Sequence, residues 1–202
     1  MPLTSPEMRL IGERLAIDFA NTSHLPSEIS WDRLTHFLEA TKIISSDRST
    51  QLHGLPQSDP QTTEALLRKA RRLCASARLL FSAMVRKQKI AAEWIEPINE
   101  ILRITEGHDE LVREAGIWRM EFIAREGGLD WLLAAVARSA ADIVAEGARA
   151  RLRVCANADC GLFFYDESRT RRRRWCSMAV CGNRSKVAAF ARKHASVRRA
   201  AG

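Results

Sequence analysis

From about Gln61 to Ile90, the residues Leu66, Ala70, Leu73, Ala77, Leu80 and Met84 recur at alternating spacings of four and three. That period places them on one stripe of a long helix. The stripe suits an internal core helix or a self-association seam, and Cys74, beside Leu73, reads as a small buried hydrophobe. Shorter stretches carry the same signature. Trp31, Leu34, Phe37 and Leu38 suit one face of a helix ending near Ile44. Trp94, Ile98, Ile101 and Leu102 suit another, in which Pro97 must fall in the first turn. Leu129, Leu132, Leu133, Val136, Ala140, Ile143 and Val144 make an amphipathic helix that begins after Gly127-Gly128 and fades at Gly147.

Elsewhere the period is near two. In RLIGERLAIDFAN, Arg9 to Asn21, the residues Leu15, Ile17 and Phe19 alternate with Ala16, Asp18 and Ala20 beyond a turn at Gly12-Glu13, which predicts a β-hairpin. LVREAGIWRMEFIA, Leu111 to Ala124, alternates around Ala115-Gly116 and predicts a second one. SSDRSTQLHGLPQSDPQ, residues 45–61, is rich in turn formers and predicts a surface loop. The class is α+β, with a mainly helical N-terminal domain carrying short β-hairpins.

Charge divides the chain. The net +8 of its 202 residues resolves into 18 Lys or Arg against 21 Asp or Glu up to Ala148, and 14 against 3 from Arg149 onward. A shift from −3 to +11 across one boundary marks an appended basic module with an anionic partner. The domains are therefore expected at 1–148 and 149–202, with separate cores. The longest uninterrupted apolar run is WLLAAVA, residues 131–137, and the N-terminus shows no apolar core of signal-peptide length. We expect a cytoplasmic protein with no membrane span.

The basic module also holds four of the five cysteines, as Cys155-x4-Cys160, fifteen residues, then Cys176-x4-Cys181. Zinc prefers four thiolates in a tetrahedron, and two close pairs let two turns each supply half of it. Two disulfides or an iron–sulfur cluster are the alternatives. With all four positions filled by protein the site is closed, hence structural. Some fifty residues with few large apolar groups also need such a staple to fold. The expected order is a first cysteine turn, a strand through Leu162, Phe163, Phe164 and Tyr165, an arginine-rich turn, and a second cysteine turn leading into a helix from about Asn183 to His194, a treble-clef-like zinc finger. Arg171, Arg172, Arg173 and Arg174 lie close enough in sequence to offset the thiolate charge. They exceed that need, and Arg184, Lys186, Arg192, Lys193, Arg198 and Arg199 continue the charge beyond them.

RLRVCANADCGLFFYDESRTRRRRWCSMAVCGNRSK resembles the zinc-finger module named for its CGNR motif, here Cys181, Gly182, Asn183 and Arg184. The match covers C-x4-C, then Phe164, Asp166, Ser168 and Arg169, then R-R-W-C-S-M and C-G-N-R. LAIDFANT, residues 15–22, and RSAADIVAEGARARLRVC before the finger are similar to the ABATE domain usually joined to it. The resemblance implies a stress-induced transcription regulator of bacteria.

Phosphate contacts are assigned to Arg171, Arg172, Arg173, Arg174, Asn183, Arg184 and Lys186, the last three at a helix N-terminus where backbone donors also face an anion. Asp18, Asn21 and Thr22, with His24 nearby, are a candidate ligand pocket, although an Asp in a strand and an Asn-Thr at its end equally satisfy backbone groups. Asp166 and Ser168 suit a ligand contact or a turn, and Trp175 suits base stacking or the core of a small zinc module. No phosphate loop or hydrolase motif is present. The expected function is a non-enzymatic DNA-binding regulator whose N-terminal domain is a sensor or oligomerisation element, with a homodimer and an unidentified small-molecule effector as candidate partners. The alternatives are a ligand-binding or catalytic N-terminal domain stapled or docked by its finger, and an RNA binder.

Overall fold

The second half of the segment expected to form the first hairpin, Leu15 to Asn21, is helical, and Arg9 lies outside the described residues. In the computed structural model, which describes residues 10–23, 25–104, 107–114, 117–124, 128–188 and 190–191, α1 runs Leu15–Asn21. Ala16 and Ala20 are as deeply buried as Ile17 and Phe19, so both phases of the apparent alternation are core, and a helix covered on most sides is the form that buries them. Side chains from elsewhere pin its two ends. Arg14 supplies no side-chain cap, and the Ser139 hydroxyl accepts the Ala16 N–H at 3.1 Å instead. Arg78 donates to the Ala20 carbonyl at 2.7 Å and the Ser23 carbonyl at 3.3 Å, a cation at the negative end of the helix. Before α1 the chain turns tightly: a Cβ on Gly12 would lie 2.6 Å from Ile17 Cγ2 and 2.8 Å from its Cβ, so only glycine fits.

α2 (Trp31–Ala40) stops short of Ile44, and its Ser30 hydroxyl accepts the Arg33 N–H. The expected surface loop contains two short helices, α3 (Ser46–His53) and α4 (Leu55–Ser58). Its turn formers act as caps: Ser45 accepts the Arg48 N–H, and Asp59 accepts the Thr62 N–H at the start of α5 (Pro60–Val85). Leu52 is buried and its carbonyl accepts the Trp31 indole N–H at 2.8 Å, which draws this segment onto the core. α6 (Glu96–Ile104) carries Pro97 as its second residue, as the sequence requires.

β1 (Gly107–Glu114) and β2 (Ile117–Ala124) pair antiparallel with Glu114 opposite Ile117. The second expected hairpin is thus present, its turn at Ala115-Gly116 lying outside the described residues. A 3-10 turn (Asp130–Leu133) leads into α7 (Ala134–Glu146), which ends at Gly147 with φ 55° and ψ −126°, a conformation open essentially to glycine alone. Then come β3 (Leu152–Val154) and β4 (Phe163–Tyr165), antiparallel with Leu152 opposite Tyr165.

The core is built around α5. Leu66, Ala70, Leu73, Ala77 and Leu80 are buried, and so are Leu67, Cys74 and Phe81, one position further on. This face is wider than a coiled-coil seam, and α1, α6, α7 and β3 cover it within the same chain; of the two readings of the stripe, the internal core helix holds.

Separate cores are expected on either side of residue 148, and there are two, but that boundary does not divide them cleanly. Leu152, Phe163 and Tyr165 belong to the helical core, while Phe164 packs with the cysteines. Asn21, at the end of α1, seals this junction. Its side-chain amide donates to the Phe163 carbonyl at 2.8 Å and its oxygen accepts the Phe163 N–H at 3.0 Å, so one side chain satisfies both backbone groups of a strand residue. Asn21→Ala leaves both groups without their partner and should destabilise the protein by about 2 to 4 kcal/mol. Urea unfolding of the zinc-loaded variant measures it.

Candidate metal centre and arginine turn

The four cysteines that the sequence singles out meet at one point. Cys155 follows β3 and donates its N–H to the Leu162 carbonyl at 2.9 Å, closing a loop in which the Cys160 N–H reaches the Asn157 carbonyl at 3.0 Å. Gly161, at φ 64°, turns the chain back into β4. On the other side, the Ser177 carbonyl accepts the N–H groups of Cys181 and Gly182, each at 3.0 Å, in a π-type turn (Met178–Gly182) that runs directly into helical residues 183–188. Knuckle, hairpin, arginine turn, and a second pair at the head of a helix follow in the expected treble-clef order.

The geometry fits a tetrahedral ion. Zinc–sulfur bonds of about 2.3 Å set tetrahedral sulfurs about 3.8 Å apart. The Cys160 and Cys176 sulfurs are 3.6 Å apart, those of Cys176 and Cys181 are 3.8 Å apart, and all four lie within 4.8 Å of one another. None of the four is joined in a disulfide, and three of them are buried. Without a cation such a cluster resists ionisation: burial pushes the Cys160 thiol up to about 11 and that of Cys176 higher still. Cys155 moves the other way. Against the burial that raises it, the N–H groups of Cys176 and Asn157 bring it below the ordinary thiol value. A divalent ion supplies the charge that lets all four bind as thiolates.

Between the cysteine pairs, Asp166 organises the arginine turn. The carboxylate is fully buried; one oxygen accepts the Ser168 N–H at 3.2 Å and hydroxyl at 2.5 Å, the other the Arg173 N–H at 3.1 Å and the Arg153 guanidinium at 2.8 Å. Burial alone would raise its pKa, but these donors and the Arg153 charge hold it below the usual carboxylate value. Asp166 and Ser168 are turn formers, one of their two sequence readings.

The four consecutive arginines differ sharply in their surroundings. The Arg173 guanidinium donates to the Trp175 carbonyl at 3.0 Å, to the Cys176 carbonyl and to Glu13, and lies 4.9 Å from the Phe164 ring centroid. It ties the second cysteine pair to the loop before α1. Arg174 lies over the Trp175 ring at 5.2 Å. Arg171, in a left-handed conformation at φ 53°, and Arg172 are exposed, and neither side chain has a carboxylate partner among the described residues. Trp175 is half-buried against the cysteine cluster and donates its indole N–H to Ser185 at 3.1 Å, the position of a core residue. Asn183, Arg184 and Lys186 are exposed at the start of the helix, with the Asn183 amide donating to the Ala179 carbonyl at 3.1 Å.

The candidate ligand-pocket residues are engaged within the chain. Asp18 accepts the Gly12 N–H at 2.6 Å, Asn21 pairs with Phe163, and the Thr22 hydroxyl donates to the Phe19 carbonyl at 2.7 Å; His24 lies outside the described residues. Two residues that sequence reasoning passes over, Glu13 and Arg153, prove central to the arginine turn. The signal for Arg153 was the alternation of RLRV, which places Arg151 and Arg153 on the face of a strand opposite Leu152.

Two family models match the chain. One, ABATE, described as "Putative stress-induced transcription regulator", covers residues 13–147, and the other, the CGNR zinc finger, covers residues 151–194. No curated relative matches. Among the described residues no helix is long and apolar enough to cross a membrane.

The purified protein should carry one zinc per chain by metal analysis. Cys176→Ser should abolish retention and expose residues 155–184 to proteolysis while most of the helical circular dichroism remains, because α1–α7 hold the greater part of the core. Arg173→Ala should lower the melting temperature and speed zinc loss to a chelator, whereas Arg172→Ala should leave both unchanged, since only Arg173 is bound to the cysteine segment.

Proposed function

As the chain belongs to the ABATE family and carries a CGNR zinc finger, we propose that it is a DNA-binding transcription regulator acting in the cytoplasm, its basic finger held by one structural zinc on Cys155, Cys160, Cys176 and Cys181. The helical domain serves as the sensor or oligomerisation element. The observation that carries this reading is the division within the arginine run: the fold uses Arg173, while Arg171 and Arg172 project from a turn that Asp166 makes rigid. Charges fixed on such a turn without internal partners suit phosphates. Asn183, Arg184 and Lys186, exposed at the start of the following helix, offer further donors for phosphates. Four protein ligands leave zinc no open position for a substrate, which favours a non-enzymatic role for the metal. A ligand-binding or catalytic N-terminal domain has less support, because Asp18 and Asn21 are committed to Gly12 and Phe163.

Binding of the zinc-loaded protein to duplex DNA should weaken with salt along a linear log–log line. Arg171→Ala combined with Arg172→Ala should lower its slope by up to about two, at about 0.9 per phosphate contact, with zinc content unchanged. A competing RNA duplex separates DNA from RNA preference. A zinc-loaded wild type with no affinity for either at low salt would overturn the reading.

A further inference from the structure

A cleft of about 1530 Å³ opens between the C-terminal end of α5, the segment from Glu146 to Val154, and the arginine turn. Eight cationic residues line it against a single carboxylate, Glu146, which accepts the Tyr165 hydroxyl. Several of these cations are partnered from behind: Arg14 by Glu167 at 3.8 Å, Arg153 by Asp166, and Arg173 by Glu13. Subtracting those three carboxylates and Glu146 from the eight cations still leaves four positive charges. The excess comes from separate parts of the chain. Lys87 lies just beyond α5, Arg149 in the short turn (Gly147–Arg149) after α7, and Arg171 in the arginine turn. All three are exposed and none forms an ion pair among the described residues.

We propose that this cleft receives the phosphate backbone of a nucleic-acid duplex, so that the binding surface runs from the zinc finger onto the helical domain through Arg149 and Lys87. The inference rests on the DNA-binding reading and extends it to residues outside the matched finger. Two features select this occupant. The cleft exceeds the roughly 300–1,000 Å³ of a small-molecule site. It also lacks a free stacking platform: its one aromatic lining residue, Tyr165, has Arg14 at 4.5 Å and Arg151 at 5.9 Å from its ring centroid. Single strands are held largely by bases stacked on open aromatic rings, whereas a duplex backbone needs only fixed cations.

The test uses the full zinc-loaded chain and fluorescence anisotropy with a mixed-sequence DNA duplex across a salt series. Lys87→Ala combined with Arg149→Ala should lower the salt slope by about 1.8, two contacts at about 0.9 each, with circular dichroism and zinc content unchanged because both side chains are exposed. Charge reversal, Lys87→Glu with Arg149→Glu, should weaken binding further, and a single strand of equal length should bind less tightly than the duplex. If the alanine pair keeps the wild-type slope while Arg171→Ala with Arg172→Ala lowers it, the cleft proposal is overturned and the finger alone binds. Tighter binding of the single strand, or saturation by tripolyphosphate where duplex binds no better, overturns it as well. No duplex binding by the wild type removes the parent reading together with this one.

Discussion

β4 is three residues long and buried on both sides, and its two sides face different cores. Phe163 and Tyr165 point into the helical core around α5, while Phe164, between them, packs against the cysteines. The two-residue period of a strand makes this unavoidable once the pairing with β3 is set, since a slip of one residue would exchange all three side chains between cores. Asn21 holds that register by taking both backbone groups of Phe163, and the Tyr165 N–H reaches the Gly12 carbonyl at 3.0 Å. Asp166 follows immediately, already buried, so the arginine turn inherits its position from the strand.

How thiolate charge is balanced decides what the arginines are free to do. In sequence, four arginines beside four cysteines read in part as counter-ions and, in their excess, as a surface for an anion. In space the cysteine sulfurs are served by backbone N–H groups, such as the one Cys176 donates to Cys155 at 3.5 Å, and among the described residues the one side chain of Arg171 to Arg174 that bonds to the second cysteine pair is that of Arg173, through the Cys176 carbonyl, while Arg174 meets the first cysteine loop with its backbone carbonyl alone. The metal and the peptide dipoles meet the local charge. The remaining arginines keep theirs for the exterior.

Whatever rests on spacing along the chain was legible beforehand. The stripe of α5, the position of Pro97 in α6, the alternation of β1 and β2 and the two cysteine pairs all express a period or an offset, and each stands where it was expected. The first helix is hidden in sequence because Ala16 and Ala20 alternate with larger apolar residues like the second phase of a strand, although alanine buries as completely as isoleucine where helices approach closely. The helices within residues 45–61 are equally hidden, because serine and aspartate serve loops and helix caps alike. Arg172 and Arg173 are identical neighbours in sequence. What separates them is a set of partners of Arg173, the nearby Trp175 and Cys176 carbonyls and Glu13, 160 positions away, and no local pattern reports a partner at that last distance.

The same long reach shapes how the protein comes into being. α1 is anchored by Ser139 and by Phe163, residues 123 and 142 positions downstream of their partners. At roughly 5–20 residues per second of synthesis, Asn21 waits about 7 to 30 s for Phe163. Through that interval Ile17 and Phe19 have only part of their core, since Phe37 and α5 are made early but α7 and β4 late, and the last contacts need loop closure over most of the chain. The nascent protein therefore passes through a stage in which α1 has its helical neighbours but not the strand that fixes its end, and that stage ends when the strand leading away from the first cysteine pair has been made.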